Sequence, residues 1–177
     1  MDLGKKLTPN FTLGEFIKGQ ETEFQRLDNI TMDMIVENLY RLAYQLESVR
    51  LFPMRITSGW RSVEKNKQVG GSEKSLHLLG MACDFFTQGL KFSEIFKKDK
   101  MLGEFIVYFK KGTKDYIRFH LGLVSLTRNK QNYYAWAWEG EKNYFPINDY
   151  NHFVNLINKM TNFKIKNIGG QEEIWRI

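Results

Sequence analysis

The segment ITSGWRSVEKNKQVGGSEKSLHLLGMACDFF, from Ile56 to Phe86, combines two short strands with a loop rich in Gly and Ser. It begins as a short β-branched strand that GW interrupts, and a short helix capped by Ser62 follows. A loop rich in Gly and Ser then leads into a second strand, MACDFF. His77 lies in the loop and Asp84 in the second strand, so two side chains that can bind a metal are seven residues apart.

Helices are predicted on the N-terminal side of this stretch. Thr12 and Glu15 have the spacing of a capping box, which predicts a short helix that begins near Leu13. A longer helix is predicted from just after Thr31 to near Arg50, because apolar residues recur at steps of three and four. The residues on this apolar face are expected in the core: Ile35, Leu39, Leu42, Ala43, Leu46 and Val49.

Strands dominate the C-terminal side. A small helix capped at Ser93 is predicted for residues 92–100. EFIVYF and YIRFHLGLV, joined by KKGTKD, indicate a β-hairpin over residues 104–124. YYAWAW, EGEK and NYFPI indicate a second hairpin over residues 133–147. A closing helix is predicted around residues 153–160, capped near Asn148 or Asp149.

This order of elements predicts an α+β fold, in which a small, mainly antiparallel sheet packs against N-terminal helices and a C-terminal helix. The chain has 177 residues, of which 42% are hydrophobic, and three prolines, so it can bury a core. Compact domains commonly contain about 100–150 residues. We therefore expect a single domain over residues 1–177.

The charge distribution and the cysteine content argue against a nucleic-acid-binding protein and a disulfide-stabilised protein. The net charge is +6, but the lysines are scattered, which favours a solvated basic surface over a nucleic-acid patch. Cys83 is the only cysteine, which excludes an internal disulfide and a cysteine zinc cluster. MDLGKKLTPNFTLGEF lacks the apolar segment of a secretory signal, and no stretch approaches the ~18 apolar residues of a membrane span. The expectation is synthesis in the cytoplasm without a signal peptide, and neither a membrane nor a nucleic-acid partner.

Three residues form a candidate metal site. His77 and Asp84 are joined by His120, which lies on the second strand of the first predicted hairpin. If the strands of Asp84 and His120 are neighbours, the three side chains meet and leave a fourth position open, as in catalytic zinc sites. Taken singly, a histidine in a β-hairpin is usually an ordinary surface or core residue, so the prediction of zinc depends on the three residues together. His152 is expected on the solvent face of the last helix and is not included.

The motifs SGWRS, VGG and SLHLLGMACDF, with an Asn between the first two, resemble the zinc D-alanyl-D-alanine carboxypeptidase and L-alanyl-D-glutamate endopeptidase family in its short phage-type form. The resemblance extends back through ENLYRLAYQLESVR to NFTLGEF, covering roughly residues 10–86, and includes the hairpin 104–123. It implies a zinc ion bound by His77, Asp84 and His120. It also implies a substrate, the peptidoglycan stem peptide.

The resemblance implies roles for two further residues. Arg61 matches an arginine that holds the site and binds a substrate carboxylate, for which guanidinium geometry is well suited. Its alternative role is a hydrogen-bonding centre that stabilises the fold. Ser75 matches the serine that precedes the metal-binding histidine and can hydrogen-bond the substrate, although it could equally cap the loop.

The general base is not evident. Peptide hydrolysis needs a group that takes a proton from the attacking water. Family members carry a carboxylate either three residues before the last histidine, where this chain has Ile117, or at the end of the preceding strand, where it has Tyr108. Tyrosine, with a pKa near 10, is a poor base at neutral pH.

Glu104 is the candidate base. A five-residue loop, KKGTK, would place it directly across from His120, whereas a shift of one residue would turn it to the other face. Asp115 is expected to point away from His120, because the two residues lie at an odd offset on one strand.

Two functions therefore remain open. The first is a phage-encoded zinc peptidase that cuts a peptidoglycan peptide bond next to a D-amino acid and is carried in the virion or released at lysis. The second is a virion structural or wall-binding protein, with other virion proteins as partners, that keeps the fold without the base. Tyr108, Ile117 and the aromatic segment NYYAWAWEGEKNYF favour the second, although that segment is also consistent with an ordinary buried hairpin. A nucleic-acid binder would rest on charge alone.

Overall fold

The computed structural model describes residues 1–96, 102–124, 133–168 and 171–176, and it has the α+β fold that the sequence predicts. The strands are β1 Lys6–Thr8, β2 Phe11–Thr12, β3 Met54–Ser58, β4 Ala82–Thr87, β5 Leu102–Phe109, β6 Ile117–Leu123, β7 Tyr133–Trp138, β8 Phe145–Pro146, β9 Phe163–Ile168 and β10 Gln171–Arg176. The helices are α1 Leu13–Ile17, α2 Glu21–Gln25, α3 Asn29–Val49, α4 Val63–Gln68, α5 Phe92–Phe96 and α6 Tyr150–Met160, with a 3-10 helix at Leu76–Leu79.

The main sheet has six strands in the order β3-β4-β6-β5-β7-β8. Every neighbouring pair is antiparallel except β5 and β7, which are parallel. Both predicted hairpins are present, β5–β6 and β7–β8. β6 runs antiparallel to β5. The chain reverses direction again after β6, and β7 pairs with the edge of β5 that faces away from β6, so β5 and β7 run parallel.

The loop between β5 and β6 is longer than predicted. Phe109 pairs with Ile117, so the loop contains residues 110–116, and the prediction of five residues is wrong. Glu104 consequently pairs with Gly122, and Ile106 takes the place opposite His120. Because side chains alternate with a period of two, this shift of two residues keeps Glu104 on the same face as His120.

One face of the sheet forms the core. Phe85, Phe105 and Phe119 are buried in it, and the rings of Phe105 and Phe119 are stacked with their centroids 5.8 Å apart. Helix α6 covers this face with Phe153, whose ring centroid lies 6.1 Å from that of Phe105. Helix α3 packs against the same core with the apolar residues that the sequence predicts. The opposite face of β4, β6 and β5 carries the polar residues discussed below.

The helix boundaries are mostly those predicted. The capping box of Thr12 and Glu15 starts α1, and Asp149 caps α6. Helix α3 begins at Asn29, earlier than predicted, because the Asp28 carboxylate accepts a hydrogen bond from the backbone N–H of Thr31 and so caps it. The predicted helix 92–100 is observed over Phe92–Phe96, and residues 97–100 lie outside the described ranges. It begins before Ser93, so the predicted cap at Ser93 is wrong.

Four features of the fold are absent from the sequence-based prediction. They are the β1–β2 pair, helix α2, the 3-10 helix and the β9–β10 hairpin. The β1–β2 pair, helix α2 and the 3-10 helix are too short for a periodic pattern to be detected, whereas Phe163 and Ile165 alternate with lysines in β9, a strand signal that the prediction missed. Among the helices that the structure describes, none is long and apolar enough to cross a membrane.

Candidate metal centre

Backbone pairing brings the first two site residues together. Asp84 on β4 lies directly opposite His120 on β6, so the two side chains project from the same face of the sheet. His77 comes from the 3-10 helix that precedes β4. This helix ends at Gly80, whose left-handed φ of +67° turns the chain into the strand. An added Cβ at Gly80 would lie 2.9 Å from the Ile35 side chain, so the turn packs closely against α3.

The three side chains converge on one point. His77 Nε2 lies 3.7 Å from Asp84 Oδ2, and His120 Nδ1 lies 2.9 Å from Asp84 Oδ1. One ligand atom from each residue falls within 4.8 Å of the other two, and all three residues are buried. The His-Asp-His group that the sequence predicts is therefore positioned to hold a metal ion.

The second nitrogen of each imidazole ring forms a hydrogen bond with a residue other than the three candidate ligands. His77 Nδ1 lies 2.6 Å from the carbonyl oxygen of Gly59, and His120 Nε2 lies 2.9 Å from Glu104 Oε1. Each acceptor takes the N–H of the outer ring nitrogen. The inner nitrogens face Asp84, and a metal ion that binds there would replace the proton that His120 Nδ1 donates to Asp84. Two imidazole nitrogens and one carboxylate oxygen with a fourth position open form a donor set that fits zinc.

Protonation of the group follows from its burial and its contacts. Burial opposes ionisation of Asp84, but the adjacent His77 and hydrogen bonds from both histidines outweigh it and hold the pKa of Asp84 well below its usual range. Burial lowers the pKa of His77. Burial also opposes the charge on His120, yet hydrogen bonds with Asp84 and Glu104 raise its pKa to about 9. The carboxylate is thus ionised in a buried place that favours a bound cation.

Two arginines donate to the same oxygen of Asp84. Arg61 Nη2 lies 2.6 Å and Arg118 Nη1 lies 2.8 Å from Oδ2. Arg61 is held in turn by Ser58, whose Oγ accepts from Nε at 2.8 Å. Arg118 is a site residue that was not predicted from the sequence. Its even offset from His120 on one strand was the available signal, because residues two apart share a face of the sheet.

The group lies within a cleft of about 780 Å³. The loop after α4 forms one wall, and the turn between β7 and β8 forms another. Four tyrosines line the cleft together with the charged residues: Tyr108, Tyr116, Tyr133 and Tyr144. The cleft is large enough to admit a short peptide to the metal-binding group.

Comparison with known proteins identifies the family. The sequence model described as Peptidase M15 matches residues 9–114, which is more than half of the chain. The chain belongs to the peptidase M15 family. This is the family of zinc D-alanyl-D-alanine carboxypeptidases and endopeptidases, whose members depend on zinc. No curated protein sequence matches the chain.

The family match covers part of the site. It includes Arg61, Ser75, His77 and Asp84, and it ends six residues before His120. In this M15 chain, the geometry places His120 beside the two residues that the match covers.

The two positions where the resemblance predicts a carboxylate base carry Tyr108 and Ile117 in this chain. Tyr108 lines the cleft, and burial raises the pKa of its phenol above the usual value, with the Asp84 charge adding to the effect. Ile117 is buried in the core on the other face of the sheet. Glu104 is buried, lines the cleft and faces His120.

Other sequence-predicted residues have clear places. Ser75 lines the cleft at the N-cap of the 3-10 helix, and its hydroxyl makes no capping hydrogen bond. Asp115 is exposed and accepts a hydrogen bond from Asn162, so it points away from the site, as predicted. His152 lies on α6, where its Nδ1 accepts from the backbone N–H of Asn148.

Glu139 is a carboxylate of the cleft that was not predicted from the sequence. Glu139, which follows β7, accepts from Arg118 Nε at 3.0 Å and from Nη2 at 2.8 Å. It also accepts from the hydroxyl of Tyr116 at 3.1 Å. The Arg118 guanidinium lies 4.4 Å from the centroid of the Tyr108 ring. Arg118 therefore links the metal-binding group to the outer part of the cleft.

Proposed function

We propose that this protein is a zinc-dependent peptidase that cleaves a peptide bond next to a D-amino acid in peptidoglycan. The observation that carries the proposal is the buried group of His77, Asp84 and His120 within a cleft of a peptidase M15 chain. Zinc supplies Lewis-acid polarisation of a carbonyl group and activates water for hydrolysis. The rest of the chemistry belongs to the residues of the chain.

His77, Asp84 and His120 are the proposed zinc ligands. The carbonyl of Gly59 and the carboxylate of Glu104 hold the outer nitrogens of the two rings, so both imidazoles are oriented before a metal binds. Arg61 and Arg118 neutralise part of the Asp84 charge, which offsets its burial.

Arg61 and Ser75 are the proposed substrate-binding residues. Arg61 uses Nη2 for Asp84 and Nε for Ser58, and its Nη1 takes part in neither contact. A carboxylate of the stem peptide is a suitable partner for this guanidinium at the edge of the metal-binding group. The Ser75 hydroxyl lines the same cleft and offers a donor and an acceptor to the peptide backbone.

The proposal extends to the setting of the reaction. The motifs that carry the resemblance are those of the short phage-type form, which supports a phage-encoded protein. Such a peptidase would reach the cell wall as part of a virion, with other virion proteins as partners, or on lysis.

A second candidate function is a virion structural or wall-binding protein that keeps the fold and lacks catalysis. The observation that favours it is Tyr108 in the cleft, at a position where the resemblance predicts a carboxylate. The aromatic β7–β8 segment gives it partial support. Trp136 packs against the core and stacks on Phe145, while Tyr144 and Phe145 are 44% and 42% exposed.

Release of muropeptides from purified sacculi separates the two functions. We expect the zinc-loaded protein to release peptide fragments or free D-alanine, and a chelator to abolish the release. His77→Ala should be inactive, whereas His152→Ala, which removes a histidine outside the metal-binding group, should retain activity. Binding to sacculi without release across pH 5–9 would favour the second function.

Metal analysis tests the site independently of activity. The purified wild-type protein should bind about one equivalent of zinc, and His77→Ala, Asp84→Asn and His120→Ala should each lose it. Wild-type stoichiometry in all three variants would remove the basis of the proposal.

A further inference from the structure

Glu104 makes a specific contact with one of the proposed ligands. Its Oε1 lies 2.9 Å from His120 Nε2, and both side chains are buried. An ionised carboxylate can only accept a hydrogen bond, so the ring nitrogen is the donor. The contact joins neighbouring strands, since Glu104 lies on β5 and His120 on β6.

Gly122 makes room for this contact. It pairs directly with Glu104, and His120 is the diagonal neighbour on the same face of the sheet. A Cβ added at Gly122 would lie 2.8 Å from Glu104 Cγ, 3.2 Å from its Oε1 and 2.9 Å from Leu76 Cδ1. Because real Cβ atoms essentially never approach within 3.0 Å, any side chain at 122 would displace the Glu104 side chain and the end of the Leu76 side chain. The Glu104 side chain therefore lies over Gly122 on its way to the imidazole.

The contact lies on the outer side of the His120 ring. The two nitrogens of an imidazole point in diverging directions, and the one that faces Asp84 is Nδ1, at 2.9 Å. A general base must reach the attacking water, which lies on the metal side of the ligands. Because Glu104 contacts Nε2, it is placed to orient the His120 ring and not to act as the general base that its sequence position suggested.

We propose that Glu104 is a positioning residue that acts through His120. By accepting the Nε2 proton, its carboxylate orients the ring, and when zinc replaces the Nδ1 proton that Asp84 accepts, it keeps the remaining proton on Nε2 and increases the basicity of Nδ1 as a ligand. This inference rests on the proposed function, because it assigns His120 to zinc. It differs from the base role in that it concerns metal binding before any substrate is present.

Zinc affinity is the first test. Glu104→Met keeps the length of the side chain and removes the acceptor, so its dissociation constant, measured by competition with a chromophoric chelator, should rise about 10–100-fold. Glu104→Gln keeps an acceptor oxygen without the charge and should fall between Met and the wild type. Glu141→Gln is the matched control, since Glu141 also lines the cleft but pairs with Lys111. It should bind zinc as the wild type does.

The tautomer of His120 is the second test, and it is a property that a merely structural role would leave unchanged. In the zinc-loaded wild type, long-range nitrogen–proton NMR correlations should show His120 protonated at Nε2 and metal-bound at Nδ1. In Glu104→Met, the His120 signals should broaden or report a mixture of tautomers, while those of His77 stay unchanged.

The outcomes separate the possible roles. If Glu104→Met and Glu104→Gln bind zinc within about twofold of the wild type with an unchanged His120 tautomer, the proposal is overturned. An equal loss of activity in those two variants would then assign Glu104 to the base. If the wild type itself binds no zinc through His77, the proposed function fails instead.

Gly122→Ala provides a variant that leaves the carboxylate chemically intact. It should displace Glu104 and weaken zinc binding in the same direction as Glu104→Met. If Glu104→Met does not fold, as judged by circular dichroism, Gly122→Ala and Glu104→Gln carry the test. Wild-type zinc affinity in both of these variants would count against the proposal.

Discussion

Arg118 donates to Asp84 across the β4–β6 pair, with Nη1 2.8 Å from Oδ2, and its other nitrogens bind Glu139 at the outer end of the cleft. The same oxygen of Asp84 also accepts from Arg61. A buried carboxylate is costly unless it is paired and hydrogen-bonded. The two guanidinium groups supply this compensation, which keeps Asp84 ionised although its side chain is buried.

The Arg118 contacts lead to a prediction about stability. Arg118→Met should lower the free energy of unfolding of the metal-free protein by about 1–3 kcal/mol, because Asp84 loses a charged hydrogen-bond donor in a buried position. Glu139→Gln breaks only the outer, more exposed end of the interaction and should cost less than about 1 kcal/mol. Urea unfolding in the presence of a chelator measures both variants, and an equal or larger loss in Glu139→Gln would contradict the explanation.

Zinc should stabilise the fold through the same three ligands. A metal that binds the native state alone adds about 2.7 kcal/mol when its concentration is one hundred times the dissociation constant. For a chain of this size, that corresponds to an increase in melting temperature of about 5–10 °C. Thermal unfolding should show this increase in the wild type and in His152→Ala. A comparable increase in His120→Ala would mean that the metal binds elsewhere.

Much of the site was predictable from sequence because its residues sit in strongly patterned segments. His77 and Asp84 belong to one dense motif, and the alternation of β6 indicated the face on which His120 lies. The fold class followed from the order of helices and hairpins. These features depend on local patterns that can be recognised in the sequence alone.

The details that were missed depend on contacts between distant segments. The length of the β5–β6 loop sets whether Glu104 pairs with His120 or with Gly122, and turn residues alone did not distinguish five residues from seven. Arg118 and Glu139 meet only because β7 lies beside β5 in the sheet. Strand order is a property of the whole fold, so no local pattern contained this ion pair.

Gly59 is a position where a small change should have a large effect. A Cβ there would lie 2.7 Å from the Phe16 Cα and would also overlap the Phe16 backbone carbonyl, so the backbone would have to move. The Gly59 carbonyl accepts from His77 Nδ1, which ties this movement to the metal centre. Gly59→Ala should lower stability by about 1–3 kcal/mol, as overpacking does, and should also weaken zinc binding.

Gly4→Ala is the matched control for this change. Its added Cβ would approach only the flexible Asp2 side chain, at 3.2 Å, and Gly4 lies far along the chain from the metal-binding residues. Urea unfolding and zinc titration of the two variants should separate them clearly. Wild-type zinc affinity in a folded Gly59→Ala variant would show that the Gly59 carbonyl does not control the His77 ring.

Tyr108 should not act as the general base. Burial and the Asp84 charge raise the pKa of its phenol, so the hydroxyl stays protonated throughout the range in which the enzyme would work. Tyr108→Phe should therefore retain both limbs of the pH profile of kcat/KM, even if the rate falls through loss of a hydrogen-bond donor. Disappearance of the acidic limb in Tyr108→Phe would identify the phenol as the base after all.

The raised pKa of Tyr108 also predicts a loss of stability in alkali. Above pH 10, a tyrosine in the unfolded chain ionises at its ordinary pKa while Tyr108 in the folded chain stays neutral, so the unfolded state binds fewer protons and the free energy of unfolding falls. One such group contributes a slope of up to about 1.4 kcal/mol per pH unit. Tyr108→Phe removes this contribution, so urea unfolding between pH 8 and pH 11.5 should show a shallower decline than in the wild type. Parallel declines in the two proteins would mean that Tyr108 ionises in the folded state as readily as in the unfolded chain.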